Sequence, residues 1–397
     1  MSLYLYFVKT CHVRIWGLTP EERTKKVLGS RVIPVSDIDE IGPADQVLVL
    51  RGDYIYDDRL LNHLASVQDV LLLVNEGHNP VPVAMHVSGA MAVRAAQIME
   101  QGRDPGPIQG LSVHTIDTIS VAFHQMLRKF EPPFVLKVTE EKAGELEKRL
   151  FDWSYKGVTD LVTKWAWPVP ARWVVKQCVR FGLRPNHVTA VGFFLVVLAG
   201  FMFYKGHFGW GLLAGWLMTF LDTVDGKLAR VTVTSSRFGH YFDHLIDLIH
   251  PPFWYLLWGM GLERTGQYHL ETSLSTLYWV IFVAYIAGRL CEGSFKWFVG
   301  RFGIFCWRPV DSFFRLVTAR RNPCMILLTL FYLGGRPDKG LYAVAFWTAV
   351  TTLFLLARLG LGFYEKSRKG SLKSWLQEVD FSSREKGLAV RWFTRTS

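Results

Sequence analysis

The most constraining stretch of this chain runs from Asp222 to Asp247, where four aspartates lie between or at the edge of two apolar runs, 208–221 and 245–260. Asp222 and Asp225 stand at i,i+3, and Asp243 and Asp247 at i,i+4, spacings that put each pair on one face of a helix. A solvated loop could hold the first pair. It could not easily hold Asp243 and Asp247, which lie among Leu245, Ile246, Leu248 and Ile249. Carboxylates at the edge of an apolar layer are costly unless a cation neutralises them, so a divalent-metal site is the reading that fits.

The rest of the chain divides unevenly around that stretch. Of 397 residues half are hydrophobic, and from about Val188 onward the apolar runs dominate. The segment 1–150 instead alternates short apolar runs with helical patterns, with strands expected at 3–8, 31–35, 46–50, 69–74 and 134–138. Helices are expected at 85–101 and 139–151, and another after Thr19-Pro20-Glu21-Glu22, where a capping Thr, a Pro and a Glu three residues on mark a helix start. This is the pattern of a small cytoplasmic α/β domain. Asp53, directly after a strand, is read as a turn residue.

Residues 151–187 are basic and rich in tryptophan, and from Val169 they read as an amphipathic interfacial helix. Six spans follow within 188–365, at 188–204, 208–224, 238–260, 274–297, 322–333 and 341–364, and 366–397 form a cytoplasmic tail of helix or disorder. Span three contains Pro251-Pro252 and should be kinked or interrupted; span five is short and should begin earlier, carrying Arg315, Arg320 and Arg321 to the membrane boundary. The expected fold class is therefore a membrane all-α bundle of six helices preceded by an α/β domain.

Charge placement argues for orientation and partner. The formal net charge is +11, and the basic residues stand beside apolar runs, which fits a membrane surface and not nucleic acid. One side of the bundle holds most of them, including Lys176, Arg230, Arg301 and Arg368; the other holds only Lys205, Arg264, Arg336 and Lys339. The positive-inside rule then places both termini and all four aspartates on the cytoplasmic side. Residues 1–9 lack the order of a signal peptide, and five scattered cysteines form no Cys-x-x-Cys pair, as reduced structural thiols would.

Asp222-x-x-Asp225-Gly226-x-x-Ala229-Arg230, eight residues, then Gly239-x-x-x-Asp243-x-x-x-Asp247 resembles the signature of the CDP-alcohol phosphotransferase family at every fixed position. Chance agreement has a probability on the order of 10⁻¹⁰ per starting position. Pro185-Asn186-x-x-Thr189 at the first span is similar to a further family element, and Asn and Thr there also supply helix caps. The resemblance implies an integral membrane enzyme, commonly a homodimer, that moves a phosphoalcohol group from a CDP-alcohol to an acceptor hydroxyl and releases CMP. It implies that Asp222, Asp225, Asp243 and Asp247 hold two Mg²⁺ ions (Mn²⁺ being the alternative), with Asp247 also the general base. Gly226, Ala229, Arg230 and Gly239 would receive the nucleotide, with Ser235 and Ser236 as further candidates. CDP-diacylglycerol is the expected donor and a polyol or polyol phosphate the acceptor. Arg315, Arg320 and Arg321 are candidates for holding an anionic acceptor, against positive-inside anchoring as the alternative.

The stretch 52–57 also looks similar to sugar-nucleotidyltransferases, but 9–14 has no glycine cluster for a triphosphate, so the front domain is expected to be degenerate and non-catalytic. The rivals are a bifunctional cytidylyltransferase/phosphotransferase and a metal-ion transporter, which would spread its acids over several spans at mid-membrane. Arg289 and Glu292 read as a buried ion pair; Arg358 has no visible partner in the sequence.

Overall fold

The computed structural model describes residues 2–77, 79–119, 123–124, 127–234, 237–379 and 387–394, with side chains left out at 117, 119, 123–124, 130 and 237–244. It forms two compact units. The first comprises Met1–Ala122, Glu131–Trp153 and Val231–Val233; the second comprises Phe123–Phe130, Ser154–Arg230 and Thr234–Ser397.

The first unit is built on strands β1 (Leu3–Val8), β2 (Ile33–Pro34), β3 (Gln46–Arg51), β5 (Val70–Glu76), β6 (Asn79–Ser88) and β7 (Ser112–Thr115). They form one sheet in the order β2-β1-β3-β6-β5-β7, while β4 (Tyr54–Tyr56) pairs with β10 (Val135–Lys137). Helices α1 (Pro20–Leu28), α2 (Asp58–Leu64), α3 (Ala92–Gln101), α4 (Ile116–Ile119) and α5 (Ala143–Trp153) complete the unit. Alternation along β3 separates two cores: Leu48 and Leu50 join Leu28, Leu60 and Leu64, whereas Val47 and Val49 join Ala95 and Met99. α1 begins at the expected capping box, in which Thr19 and Glu22 satisfy each other's backbone N–H.

The expected helix at 85–101 is corrected. Met85 belongs to β6, which pairs antiparallel with both β3 and β5, and α3 begins only at Ala92. Residues 81–87 are all buried, so the strand lies covered on both faces, and Pro80 and Pro82 disguise the alternating Val81, Val83, Met85 and Val87 in the sequence. The helix expected at 139–151 runs from Ala143 to Trp153.

In the second unit a short hairpin of β8 (Phe123–His124) and β9 (Lys129–Phe130) precedes α6 (Pro168–Arg180). Then come α7 (Pro185–Tyr204), α8 (Phe208–Val231), α9 (Arg237–Arg264), α10 (Leu274–Ser294), α11 (Pro309–Val317), α12 (Arg321–Leu333), α13 (Pro337–Lys369) and α14 (Leu388–Phe393). Among the described residues three helices are long and apolar enough to cross a membrane: Pro185–Tyr204, Leu274–Gly300 and Pro337–Lys369. Phe203, Trp254, Trp258, Met325 and Leu328 are buried at the centre, while Phe194, Trp210, Trp279 and Leu353 turn outward.

Two helix expectations change. α9 runs unbroken through Pro251-Pro252. Pro252 cannot donate to the Leu248 carbonyl, and the Tyr285 hydroxyl donates to it instead at 2.9 Å. α12 does not begin earlier: the chain turns at Thr318, whose extended ψ of 137° ends α11, and Ala319 N–H donates to Thr351 Oγ1 at 3.0 Å. The tail is folded where it is described: Trp375 Nε1 donates to Ser312 Oγ at 3.0 Å, and Ser374 Oγ donates to Cys306 O at 2.5 Å. Arg358 pairs with Asp311 through both carboxylate oxygens, at 2.6 and 2.8 Å, over the Trp307 ring.

The tightest crossing joins α7 to α9. A Cβ on Gly261 would stand 1.9 Å from Phe203 O, and a backbone carbonyl cannot move aside. Gly261→Ala should cost about 1–3 kcal/mol and lower the thermal midpoint of the detergent-solubilised protein. Gly192→Ala, with no atom within 4 Å of its new methyl, should leave the midpoint unchanged or raise it.

Candidate active site

α8 delivers Asp222 and Asp225 one helical turn apart, and α9 delivers Asp247. The site is closed by α12, which begins at Arg321. Its guanidinium bridges the two helices, donating Nη1 to Asp247 Oδ1 at 2.5 Å and Nη2 to Asp222 Oδ2. Removing acids from water requires compensating charge, and here one arginine compensates two acids. Asp222 and Asp247 keep 20% and 34% of their side-chain surface, so the cluster opens onto water instead of being sealed.

Asp225 is buried and takes a different partner. Thr189 of α7 donates Oγ1 to Asp225 Oδ2 at 2.8 Å, which gives the Pro185-Asn186-x-x-Thr189 element a direct contact with the acidic cluster. Gly226 is where Arg230 folds back: a Cβ there would meet Arg230 Nη2 at 3.1 Å. Ala229 follows on α8, one turn before the turn that ends at Thr234. Asp243 lies on α9 one turn before Asp247, but its side chain, that of Gly239's neighbours and both Ser235 and Ser236 lie outside the described residues. Gly239 is helical, with nothing further described.

The three candidate arginines separate into three environments. Arg321 joins the aspartates. Arg320, at the N-cap of α12, pairs with Glu292, which also meets Arg289 at 3.6 Å, so the expected Arg289–Glu292 pair has a third member. Arg315 of α11 is 8% exposed, and its Nε and Nη1 meet no hydrogen-bond partner among the described residues. Arg315 and Arg320 approach one ring, Phe305, at 5.6 and 5.8 Å.

Sequence reading missed the supports of this cluster. Asp160 accepts from Thr163 N at 3.0 Å, Thr163 Oγ1 at 2.9 Å and Asn322 Nδ2 at 2.9 Å, fixing the first turn of α12 beside Arg321. Burial works against the charged carboxyl, yet Arg315 nearby and the bonds from Asn322 and Thr163 hold Asp160 below its ordinary pKa. The Asp160-x-x-Thr163 pairing is a capping pattern legible in sequence; Asn322 is not. Lys227, inside the acidic signature but at a variable position of it, donates to Ser154 O at 3.1 Å and sits over the Tyr155 ring.

Among the described residues the cluster offers the carboxylate oxygens of Asp222, Asp225 and Asp247, donors that suit a hard divalent cation, and Asp222 and Asp247 already converge on a single positive group, whose Nη1 also lies 3.6 Å from Met218 Sδ. The residues present therefore fit such an ion. Among the described residues no three acidic, histidine or cysteine side chains close on one point; Asp243, the fourth acid, is not among those described. His250 Nδ1 lies 2.7 Å from Ile246 O and its ring meets Trp254.

Comparison with known proteins bears on the same stretch. Residues 183–364 match the CDP-alcohol phosphatidyltransferase family. The chain is 32% identical over 119 residues to the archaetidylinositol phosphate synthase of Pyrococcus horikoshii, covering 29% of this chain and 60% of that protein. It is 36% identical over 72 residues to the phosphatidylinositol phosphate synthase of Streptomyces avermitilis, covering 18% and 30%. It is 40% identical over 70 residues to a CDP-diacylglycerol–serine O-phosphatidyltransferase of Helicobacter pylori, covering 17% and 28%. The chain thus spans under two thirds of the length of these relatives. With the complete acidic signature inside the matched region, residues 183–364 are a CDP-alcohol phosphatidyltransferase domain.

Proposed function

We propose that the chain transfers a phosphatidyl group from CDP-diacylglycerol to the hydroxyl of a phosphorylated polyol, releasing CMP. The observation that carries this reading is the convergence of Asp222, Asp247 and Arg321, with Thr189 holding Asp225, inside the matched domain. Asp222, Asp225, Asp243 and Asp247 would hold two divalent cations, Mg²⁺ by the hardness of their oxygens, which when bound neutralise the diphosphate and polarise the leaving oxygen.

The chain's own residues do the rest. Asp247, the more solvent-accessible of the bridged acids, accepts the proton of the acceptor hydroxyl. That oxygen forms a bond to the phosphorus bearing the diacylglycerol, the bond from this phosphorus to the CMP oxygen breaks, and its electron pair leaves with CMP. Arg230, folded over the backbone at Gly226, binds the nucleotide phosphates, with Ala229 and Gly239 allowing close approach. Arg321 balances Asp222 and Asp247 between turnovers and, with Arg320, flanks the acceptor. Arg315 supplies the buried cation that an anionic acceptor needs, and two relatives are named for inositol phosphate products.

Six spans, both termini and the active site on the cytoplasmic side, and a homodimer complete the reading. Exposed apolar surface on α7, α8, α10 and α13 supports an integral membrane protein. The strand-and-helix unit is non-catalytic in this reading. Asp53, the acid that a nucleotidyltransferase would need free, is held by Arg51 through both oxygens at 2.8 and 2.5 Å.

Purified protein in detergent with CDP-diacylglycerol and inositol phosphate should release CMP, and Asp247→Asn should lower the rate about 10²–10⁴-fold. Acceptor-independent CMP, or an unaffected mutant, would refute the role of Asp247. Chelation by EDTA should abolish the rate and Mg²⁺ restore it. Thr189→Val, which frees Asp225, should raise the Mg²⁺ concentration for half-maximal rate about 10–100-fold; an unchanged requirement would separate Asp225 from metal binding.

A further inference from the structure

Residues 123–130 lie in sequence within the strand-and-helix half of the chain but fold with the second unit. What this excursion delivers is Arg128. Its φ of 48° is in the left-handed region, which a residue with a Cβ adopts only when its surroundings enforce it. The enforcement is visible. Gly157 N–H donates to Leu127 O at 2.9 Å and Val158 N–H donates to Arg128 O at 3.1 Å. A Cβ on Gly157 would stand 2.6 to 2.7 Å from Lys129, Phe393 and Arg128, so only glycine permits this approach.

The residue before that glycine is Lys156. It is fixed from the other side by Lys227 of α8, which holds Ser154 O and stacks on Tyr155. Lys156 is thus suspended between the signature helix and the Arg128 segment. Arg128 reaches Gly303, whose ideal Cβ position lies 3.8 Å from the Arg128 Nε and Cζ. Two residues on, Phe305 carries Arg315 and Arg320 against its ring.

These groups form a cationic recess next to Asp222. Lys156 keeps solvent access, yet protein crowds it; that crowding, with Arg128 and Arg230 beside it, lowers its ammonium to a pKa of about 8. Asp160 and Glu292 lie near Arg315 and offset part of its charge, but their hydrogen bonds go to other groups, Glu292 to Arg320 and Asp160 to Thr163 and Asn322, and neither bonds Arg315 Nε or Nη1. Arg315 is buried with two nitrogens unsatisfied. Like charges held together beside an unsatisfied buried guanidinium require an anion to complete them.

We infer that Arg128 and Lys156, both outside residues 183–364, join Arg315 to bind the phosphate of the acceptor and so select a phosphorylated polyol over a neutral one. The inference rests on the transferase reading and adds specificity-determining residues that the matched domain does not contain. No atom of either residue takes part in bond making; they act on acceptor binding.

The test uses the full chain in detergent with Mg²⁺ and CDP-diacylglycerol, comparing inositol phosphate with inositol, and inorganic phosphate as competitor. Arg128→Gln and Lys156→Gln should each raise the KM for inositol phosphate about 10–100-fold and weaken inhibition by inorganic phosphate in parallel. The effect should fall on KM and not on kcat, and Lys156→Arg should restore it. Unchanged KM and phosphate inhibition in both variants, with an active wild type, would overturn the inference. So would equal losses with inositol and inositol phosphate, the mark of a merely structural role. Calorimetric titration of inorganic phosphate separates the two readings. If no acceptor gives CMP but phosphate binding is present in wild type and lost in both variants, the transferase reading fails and the anion site stands.

Discussion

One guanidinium ties the acidic cluster of this molecule together. Arg321 reaches Asp222 on α8 and Asp247 on α9 from the first turn of α12, so two consecutive helices and a third far along the chain meet at a single charge. At contact distance in a medium of effective dielectric about 20, each such attraction is worth about 4 kcal/mol before desolvation. That is enough to set helix register, and too much for two acids to tolerate its loss without another cation. The site is therefore built for positive charge whatever its source. The position of Arg321 depends in turn on Asn322 and Asp160, and that of Asp225 on Thr189.

Around this centre, short-range packing does what charge cannot. Glycine at 157 and 261 removes a side chain where two backbones touch, one in the recess beside Lys156 and one where α7 crosses α9. The polar ends of tryptophans close the remaining gaps: Trp254 Nε1 donates to Val196 O at 3.0 Å and Trp258 Nε1 to Pro337 O at 3.1 Å. Each bond gives a buried indole N–H an acceptor inside an apolar bundle, where an unsatisfied donor is expensive.

Much of this was legible in the residues. The acidic signature pointed to the candidate site, because few patterns put two helix-spaced acid pairs among apolar runs. The capping box at Thr19 and the boundaries of β1 and β3 followed from local chemistry. The misses have a common cause. β6 was hidden because prolines at 80 and 82 signal a break, while it is held between the adjacent β5 and the remote β3, and the β3 pairing has no local signal. The partner of Arg358 is Asp311, 47 residues away, and that of Arg321 is 74 and 99 away; pairing at such distance has no local signal. Arg128 and Lys156 carry no motif at all, since what joins them is a backbone contact and one glycine.

The hydroxyl of Tyr285 on the Leu248 carbonyl has a consequence for how this family domain can drift. Pro252 removes a donor from the middle of an apolar helix, and Tyr285 replaces it from a different helix. Losing the tyrosine alone strands a carbonyl; losing the proline alone restores the helix's own bond and leaves the tyrosine hydroxyl without its acceptor. Substitution at these two positions should therefore occur jointly or in a fixed order, proline first, and the pair forms a ratchet in which the prolyl residue can be discarded but not readily regained.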